Sequence, residues 1–264
     1  MSEFGKINIM DPRMKKPLLH TSHDNSFSLV SQSVSEVKFD NGNKLEFFTP
    51  NNIGIQRNIY KVYLEKYKKT LNNHAKKLDL GEDFKDVAKN KIEEVEWNLK
   101  MVYELIQFAE ISIIFSYTMI EALVNFSIPD DYVYVIKNNK GIEERYDKQA
   151  IERHLSLTTK LKSIILDIYK IDKITDQPFW SDFCNLESIR NTIIHEKVSE
   201  DGFYLQFFED ITLRYIESSD KILEFLYSKI DMKNFNNYFS WPFYENENGM
   251  SLPQVMVPKG GLKK

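Results

Sequence analysis

Hydrophobic residues recur with the period of an α-helix along most of the chain that follows Ile53. In the first such segment they share one face, and lysines and glutamates occupy the opposite face, as in a surface helix. The apolar face is formed by Ile55, Ile59, Val62 and Tyr63. This pattern predicts an amphipathic helix that begins at about Ile53.

A longer helical segment begins near Asp83 and runs without glycine or proline to Ile128, where Pro129 ends it. Its first half is amphipathic, whereas the stretch from Met101 to Phe126 is apolar almost all round. Because a helix that is apolar on every side needs cover on every side, we expect this half to be the buried central helix.

Further helices and two short β-hairpins complete the predicted fold. The helices are expected at about 148–169, 178–197 and 204–230. Apolar and polar residues alternate on both sides of Asn41-Gly42, which predicts a hairpin at about 36–48. Residues 130–147 contain two short strand-like runs around a second turn sequence. We therefore predict a mainly α protein, a helical bundle with a small N-terminal β-hairpin and a short β-hairpin insertion.

The two ends of the chain show no sustained period. Residues 1 to about 35 are expected to be irregular, and 236–264 form either a disordered tail or one that packs through aromatic side chains. Those side chains are Tyr238, Phe239, Trp241 and Phe243. The expected organisation is an N-terminal extension at 1–50, a helical domain at 51–235 and an aromatic-rich tail at 236–264.

The composition fits a folded helical protein. Of 264 residues 42% are hydrophobic and 28% charged, and only 9 glycines and 8 prolines occur, which argues against turn-dense sandwiches and propellers. The 35 Lys and Arg against 39 Asp and Glu give a net charge of −4. This charge excludes a surface that binds polyphosphate everywhere but leaves room for a local basic groove.

The sequence favours a cytoplasmic protein without a membrane segment. The single cysteine, Cys184, cannot form an internal disulfide, and the N-terminal residues lack the apolar region of a secretory signal. The most apolar stretch, Ile111 to Ile120, is too short to span a bilayer. Because P-loop, Rossmann and zinc-protease motifs do not occur, we expect neither a cofactor nor a metal.

The helix at 178–197 carries the candidate chemistry. Arg190 lies within its apolar arc, and Glu187, Asn191 and His195 form a neighbouring polar stripe at i, i+4 and i+8. On a helical wheel this stripe lies roughly 60° to 140° from Arg190. A guanidinium among leucine, isoleucine and phenylalanine side chains needs a carboxylate or a polar cleft.

The central helix offers partners for these residues along a polar stripe of its own. The stripe consists of Gln107, Glu110, Thr118, Glu121 and Asn125. If the two helices pack together, Glu121 is the expected partner of Arg190, and Asn125 can reach Asn191 or His195. From spacing alone, a structural ion pair that fixes helix register and a catalytic site remain alternatives.

The segment SIRNTIIHEK resembles the Arg-Asn-three residues-His signature of HEPN domains, a family of helical-bundle proteins from higher eukaryotes and prokaryotes. IIFSYTMIEALVNFSI is similar to the earlier helix of those domains, which holds an acidic residue close to the motif. RHLSLTTKLKSIILDIY is similar to their intervening helix. The resemblance covers about 85–230.

The resemblance implies an antiparallel bundle of four to five helices that forms a homodimer, with the two Arg-His motifs facing each other across the two-fold axis. Many family members are metal-independent endoribonucleases. It implies that His195 is the general acid/base, that Arg190 stabilises phosphate charge, that Asn191 orients the histidine or binds phosphate, and that Glu121 holds Arg190. Two candidate substrate-binding residues complete the set: Glu187 and Asn125.

The implied function is an endoribonuclease that acts as a toxin or anti-phage defence effector, with RNA as substrate and an antitoxin or defence-complex protein as partner. Histidine can deprotonate a ribose 2′-hydroxyl at neutral pH, and arginine supplies permanent charge for phosphate oxygens. Other members of the family are inactive. The alternatives are therefore a catalytically silent interaction module and a partner that senses a nucleotide or small molecule in the same cleft.

Overall fold

The computed structural model describes residues 4–7, 13, 17–21, 28–32, 34–73, 92–137, 139–195, 202–229 and 255–258. The helices are α1 (Asn52–Asn73), α2 (Ile92–Ser127), α3 (Lys148–His154), α4 (157–169), α5 (Trp180–His195) and α6 (Asp210–Lys229). Short 3-10 segments occupy Ile174–Asp176 and Phe203–Phe208. The protein is mainly α, as the sequence predicts.

The chain divides into two compact units. The first unit contains Met1–Ile55, Glu121–Ile174 and Glu224–Lys264, and the second contains Gln56–Ile120 and Thr175–Leu223. Helices α1, α2 and α6 therefore contribute residues to both units. The predicted division into an extension, a helical domain and a tail stays a prediction.

The predicted N-terminal hairpin is present in the first unit. Strand β4 (Val34–Lys38) pairs antiparallel with β5 (Lys44–Phe48), and Gly42 in the turn adopts a φ of 84°. This left-handed conformation explains the Asn-Gly sequence, because glycine adopts it without steric strain. One face carries Val37 opposite Leu45 and Ser35 opposite Phe47, and the other carries Glu36 opposite Glu46, Lys38 opposite Lys44 and Val34 opposite Phe48. On the first of these faces, the side chains of Val37, Leu45 and Phe47 are exposed.

The second predicted hairpin is also present, and further strands occur where the sequence analysis expected irregular chain. Strands β6 (Tyr134–Lys137) and β7 (Glu143–Tyr146) form the insertion. Within residues 1–35, β2 (Pro17–Thr21) pairs with β3 (Ser28–Gln32), and β1 (Phe4–Ile7) pairs with β8 (Val255–Pro258). The prediction was wrong for these strands because each is short, and because β1 and β8 come from opposite ends of the chain.

Helix α2 is the buried central helix that the apolar pattern predicts. The predicted first residues of this helix, 83–91, lie outside the described residues. Leu105, Ala109, Ile113, Met119, Ile120 and Val124 are fully buried. Its hydroxyl groups bond within the helix, since Ser112 Oγ donates to the carbonyl of Phe108 and Thr118 Oγ1 to that of Ile114, each at 2.7 Å. These two hydroxyls therefore have hydrogen-bond partners within their own helix and need none from a neighbouring element.

By length and composition alone, α2 is apolar enough to cross a membrane. Its segment Glu96–Ser127 has a mean hydropathy of 1.3, and 44% of the apolar window is buried inside the fold. The buried core helix of a soluble protein passes the same test of length and composition.

The helix predicted at 148–169 is broken at Leu155, which is extended at φ −101° and ψ 138°. Ser156 then caps the next helix, because its Oγ accepts a hydrogen bond from the amide of Thr159 at 3.1 Å. Helix α4 contains a π-helical segment at Lys160–Ile165. This segment buries the side chains of Lys160, Leu161, Ile164 and Ile165.

A buried tyrosine joins α1 to the 3-10 segment in the second unit. Tyr67 is fully buried, and its Oη donates a hydrogen bond of 2.7 Å to the backbone carbonyl of Phe207. Phe207 is itself fully buried. Because a buried carbonyl that loses its donor is left without a partner, this bond holds the 3-10 segment in place.

We expect Tyr67→Phe to lower the free energy of unfolding by about 1–3 kcal/mol, because it strands the carbonyl of Phe207. Tyr132→Phe is the matched control, since it removes a hydroxyl that donates to Asp167 at an exposed site. Urea unfolding of both variants measures the effect. An equal effect of the two substitutions would contradict this account of the second unit.

Candidate functional site

Helix α5 is fixed in the second unit through its first two turns. Asp182, Phe183, Leu186 and Ile189 are buried along one side. The carboxylate of Asp182 accepts two hydrogen bonds from Arg214 of α6, at 3.1 Å from Nε and 2.9 Å from Nη2. Such a two-point contact sets both position and orientation. The remaining predicted helical residues, 196–197, lie outside the described part of the chain.

The predicted polar stripe of α5 runs from the interior toward solvent. Glu187 and Asn191 are half-buried, and His195, the last residue of the helix, is exposed. The structure thus places these three residues on one side of α5, with the histidine in its last turn. An exposed imidazole at this position is accessible to a large substrate.

Arg190 is half-buried beside this stripe and is held by two neighbours. Its Nη1 donates a hydrogen bond of 3.0 Å to Oδ1 of Asn191. Its guanidinium carbon lies 4.9 Å from the ring centroid of Tyr117, a cation–π contact. Its Nε is buried and has no hydrogen-bond partner among the described residues. An aromatic face and an amide therefore provide the polar environment that the guanidinium needs.

Tyr117 of α2 is a site residue that the sequence analysis missed. Its Oη donates a hydrogen bond of 2.7 Å to Oε1 of Glu187, and its ring stacks on Phe183 at 5.9 Å between centroids. Together with its contact to Arg190, this one side chain reaches three residues of α5. A tyrosine on an apolar helix was the available signal, because a buried hydroxyl normally has a partner.

Glu121 and Asn125 lie in the first unit, where their neighbour is Lys160. The ammonium of Lys160 donates to Oδ1 of Asn125 at 2.8 Å and to the backbone carbonyl of Glu152 at 3.1 Å. The predicted contacts of Glu121 with Arg190, and of Asn125 with the α5 stripe, stay predictions. What the structure brings together is an amide and carboxylates around a lysine.

Lys160 is the second residue that the sequence analysis missed. Its side chain is fully buried, and this burial lowers its pKa, although the charges of Glu121 and Glu152 act in the opposite direction. The available signal was its position between Leu157 and Ile164, which are its neighbours at i−3 and i+4 on a helical surface. A lysine at an apolar position needs internal acceptors, and α2 and α3 supply them.

The other members of the predicted α2 stripe do not join either group of contacts. Gln107 is exposed, and the hydroxyl of Thr118 donates within its own helix. Glu110 is half-buried in the second unit, and this burial raises the pKa of its carboxyl. Among the described residues, no group of three or more histidine, cysteine, aspartate or glutamate side chains is arranged to hold a metal ion.

The chain matches no protein-family model, no curated protein and no solved structure. The resemblance to HEPN domains therefore rests on the sequence motifs quoted above. Among the α5 residues, Arg190 has a well-defined environment, since its guanidinium contacts both Tyr117 and Asn191.

Lys160 generates a pH-dependent prediction. Its folded-state pKa lies below the ordinary value of 10.5, so between these two pKa values the unfolded state binds more protons than the folded state. Stability from this group therefore rises as the pH increases toward about 10.5. We expect the stability of the wild type relative to Lys160→Met to increase from pH 7 to pH 10, as measured by urea unfolding.

Lys162→Met is the matched control for this titration, since Lys162 is exposed on the same helical segment. We expect the difference from the wild type to change more with pH for Lys160→Met than for Lys162→Met. Parallel curves for the wild type and Lys160→Met would contradict the lowered pKa of Lys160.

Proposed function

We propose that this protein is a metal-independent endoribonuclease with an HEPN-like bundle, in which His195 and Arg190 carry the reaction. The observation that supports this proposal most is the placement of Arg190, whose guanidinium rests on Tyr117 and is tethered by Asn191. A permanent charge with a fixed orientation is suited to a phosphate that gains charge in the transition state. The exposed imidazole of His195 follows on the same helix.

In the proposed reaction, His195 accepts the proton of a ribose 2′-hydroxyl. The 2′-oxygen then attacks the adjacent phosphorus, and the bond between phosphorus and the 5′-oxygen breaks. A protonated imidazole returns the proton to this leaving oxygen, so the products are a 2′,3′-cyclic phosphate and a 5′-hydroxyl. Arg190 neutralises the additional charge on the phosphate oxygens, and Asn191 keeps the guanidinium from turning away.

The proposed setting is the cytoplasm, where the RNA substrate is found. An enzyme that cuts cellular RNA has to be restrained until it is needed. We therefore propose the role of a toxin or anti-phage defence effector, controlled by an antitoxin or a defence-complex protein.

A catalytically silent interaction module is the second candidate, and the contacts of Tyr117 favour it. In this function the hydrogen bond to Glu187 and the ring contact to Arg190 serve only to dock α5 on α2. A partner that senses a nucleotide or small molecule could use the same residues. The two candidates differ in what His195 does, because an exposed histidine has no part in docking.

We also propose a homodimer in which the two motifs form one composite site. Cleavage at phosphorus benefits from one group that takes a proton and another that donates one, and each chain has a single motif histidine. A two-fold axis beside His195 supplies the second group from the other chain. Exposed apolar side chains in the second unit support an interface there: Ile194, Tyr204 and Leu205 are 45%, 47% and 66% exposed.

For the reaction, we expect His195→Ala and Arg190→Ala each to reduce RNA cleavage by at least about 100-fold with the fold intact by circular dichroism. His154→Ala, at another exposed histidine, is the control and should cleave as the wild type does. Cleavage of labelled RNA is measured with and without EDTA, and EDTA should have no effect. Loss of activity in EDTA that Mg²⁺ restores would instead point to carboxylates as metal ligands.

For the dimer, we expect a mass of twice the 31.2 kDa chain by light scattering. Mixing inactive His195→Ala with inactive Arg190→Ala subunits should restore part of the cleavage, because the composite site of a mixed dimer contains His195 from one chain and Arg190 from the other. Mixtures that stay inactive while exchanging subunits, or a fully active monomer, would overturn the composite site.

A further inference from the structure

Glu187 and Arg190 lie three residues apart on α5, a spacing at which opposite charges on a helix normally pair. In the second unit, however, none of the ion pairs between described residues includes Arg190. The carboxylate of Glu187 instead accepts the hydroxyl hydrogen of Tyr117 at 2.7 Å. Glu187, which could pair with Arg190 within α5, is thus bound by Tyr117 of α2 instead.

The same tyrosine also contacts Arg190, through a different part of its side chain. The hydroxyl engages Glu187, whereas the ring face lies under the guanidinium at 4.9 Å. Tyr117 is only 4% exposed, and its ring stacks on Phe183 with planes 9° apart. Because the ring is also held against Phe183, it can keep the carboxylate and the guanidinium at separate positions.

We infer that Tyr117 is a positioning residue that keeps Arg190 open to an external oxyanion, the phosphate of an RNA strand, by holding Glu187 away from it. This inference rests on the proposed function. A guanidinium has five N–H donors, of which Asn191 engages one and the buried Nε carries another. The remaining hydrogens on the Nη atoms can bind phosphate oxygens, provided that the carboxylate of Glu187 does not take them.

The test compares Tyr117→Phe, Glu187→Gln and the double variant in binding a fluorescent single-stranded RNA whose riboses are 2′-O-methylated and which therefore cannot be cleaved. Tyr117→Phe removes the hydroxyl that holds the carboxylate away from Arg190, so we expect binding to weaken roughly two- to fivefold. Glu187→Gln removes the competing charge, so the double variant should bind more tightly than Tyr117→Phe does. Fluorescence anisotropy at constant salt measures each dissociation constant.

Rescue by Glu187→Gln separates positioning from a merely structural role, since a variant with a damaged helix contact would not regain binding when a second contact is changed. Tyr132→Phe is the control for the loss of a tyrosine hydroxyl elsewhere. Unchanged binding in Tyr117→Phe, or a double variant as weak as the single one, overturns the inference. Melting temperatures of all variants establish that the comparison concerns folded protein.

Two further measurements distinguish a failure of this inference from a failure of the proposed function. In one outcome, the wild type binds the methylated strand, Arg190→Ala does not bind it, and the wild type does not cut unmodified RNA. This outcome refutes the proposed ribonuclease and leaves the inference standing. Equal dissociation constants for the wild type and Arg190→Ala would overturn the inference, whether or not RNA is cut.

Discussion

Because α2 is apolar almost all round from Met101 to Phe126, other elements must cover it on several sides. This requirement constrains where those elements can pack. On an apolar helix, each polar atom that cannot bond within the helix needs a partner on a neighbour. Tyr117 meets this condition through α5, and Asn125 meets it through Lys160 of α4. The few polar groups of α2 therefore fix which residues of the adjacent helices lie against it, whereas its apolar surface supplies the burial.

The elements that follow from local chemistry could be predicted from the sequence. Gly42 and its flanking alternation give the β4–β5 hairpin, and the long apolar run gives α2. Helix α5 and the stripe formed by Glu187, Asn191 and His195 also follow from periodicity alone. In each case the residues that determine the element are close together in sequence, so a local pattern is enough to predict it.

The features that could not be predicted depend on residues far apart in the chain. Strand β1 finds its partner β8 at the opposite end of the chain, which no local pattern records. The buried position of Lys160 depends on acceptors from α2 and α3. The three contacts of Tyr117 depend on how α5 lies against it. A wheel drawn for one helix shows the direction of a side chain but not the identity of its neighbour.

The π-helical segment Lys160–Ile165 makes the length of this stretch as important as its composition. A hydrogen bond from i to i+5 accommodates one residue more than an α-helical turn does. Loss of a single residue here would turn the wide turn into an α-helical one and change which side chains of the segment face the core. Among homologous chains, we therefore expect point changes within this segment to be tolerated more readily than insertions or deletions, since its number of residues decides which side chains meet the core.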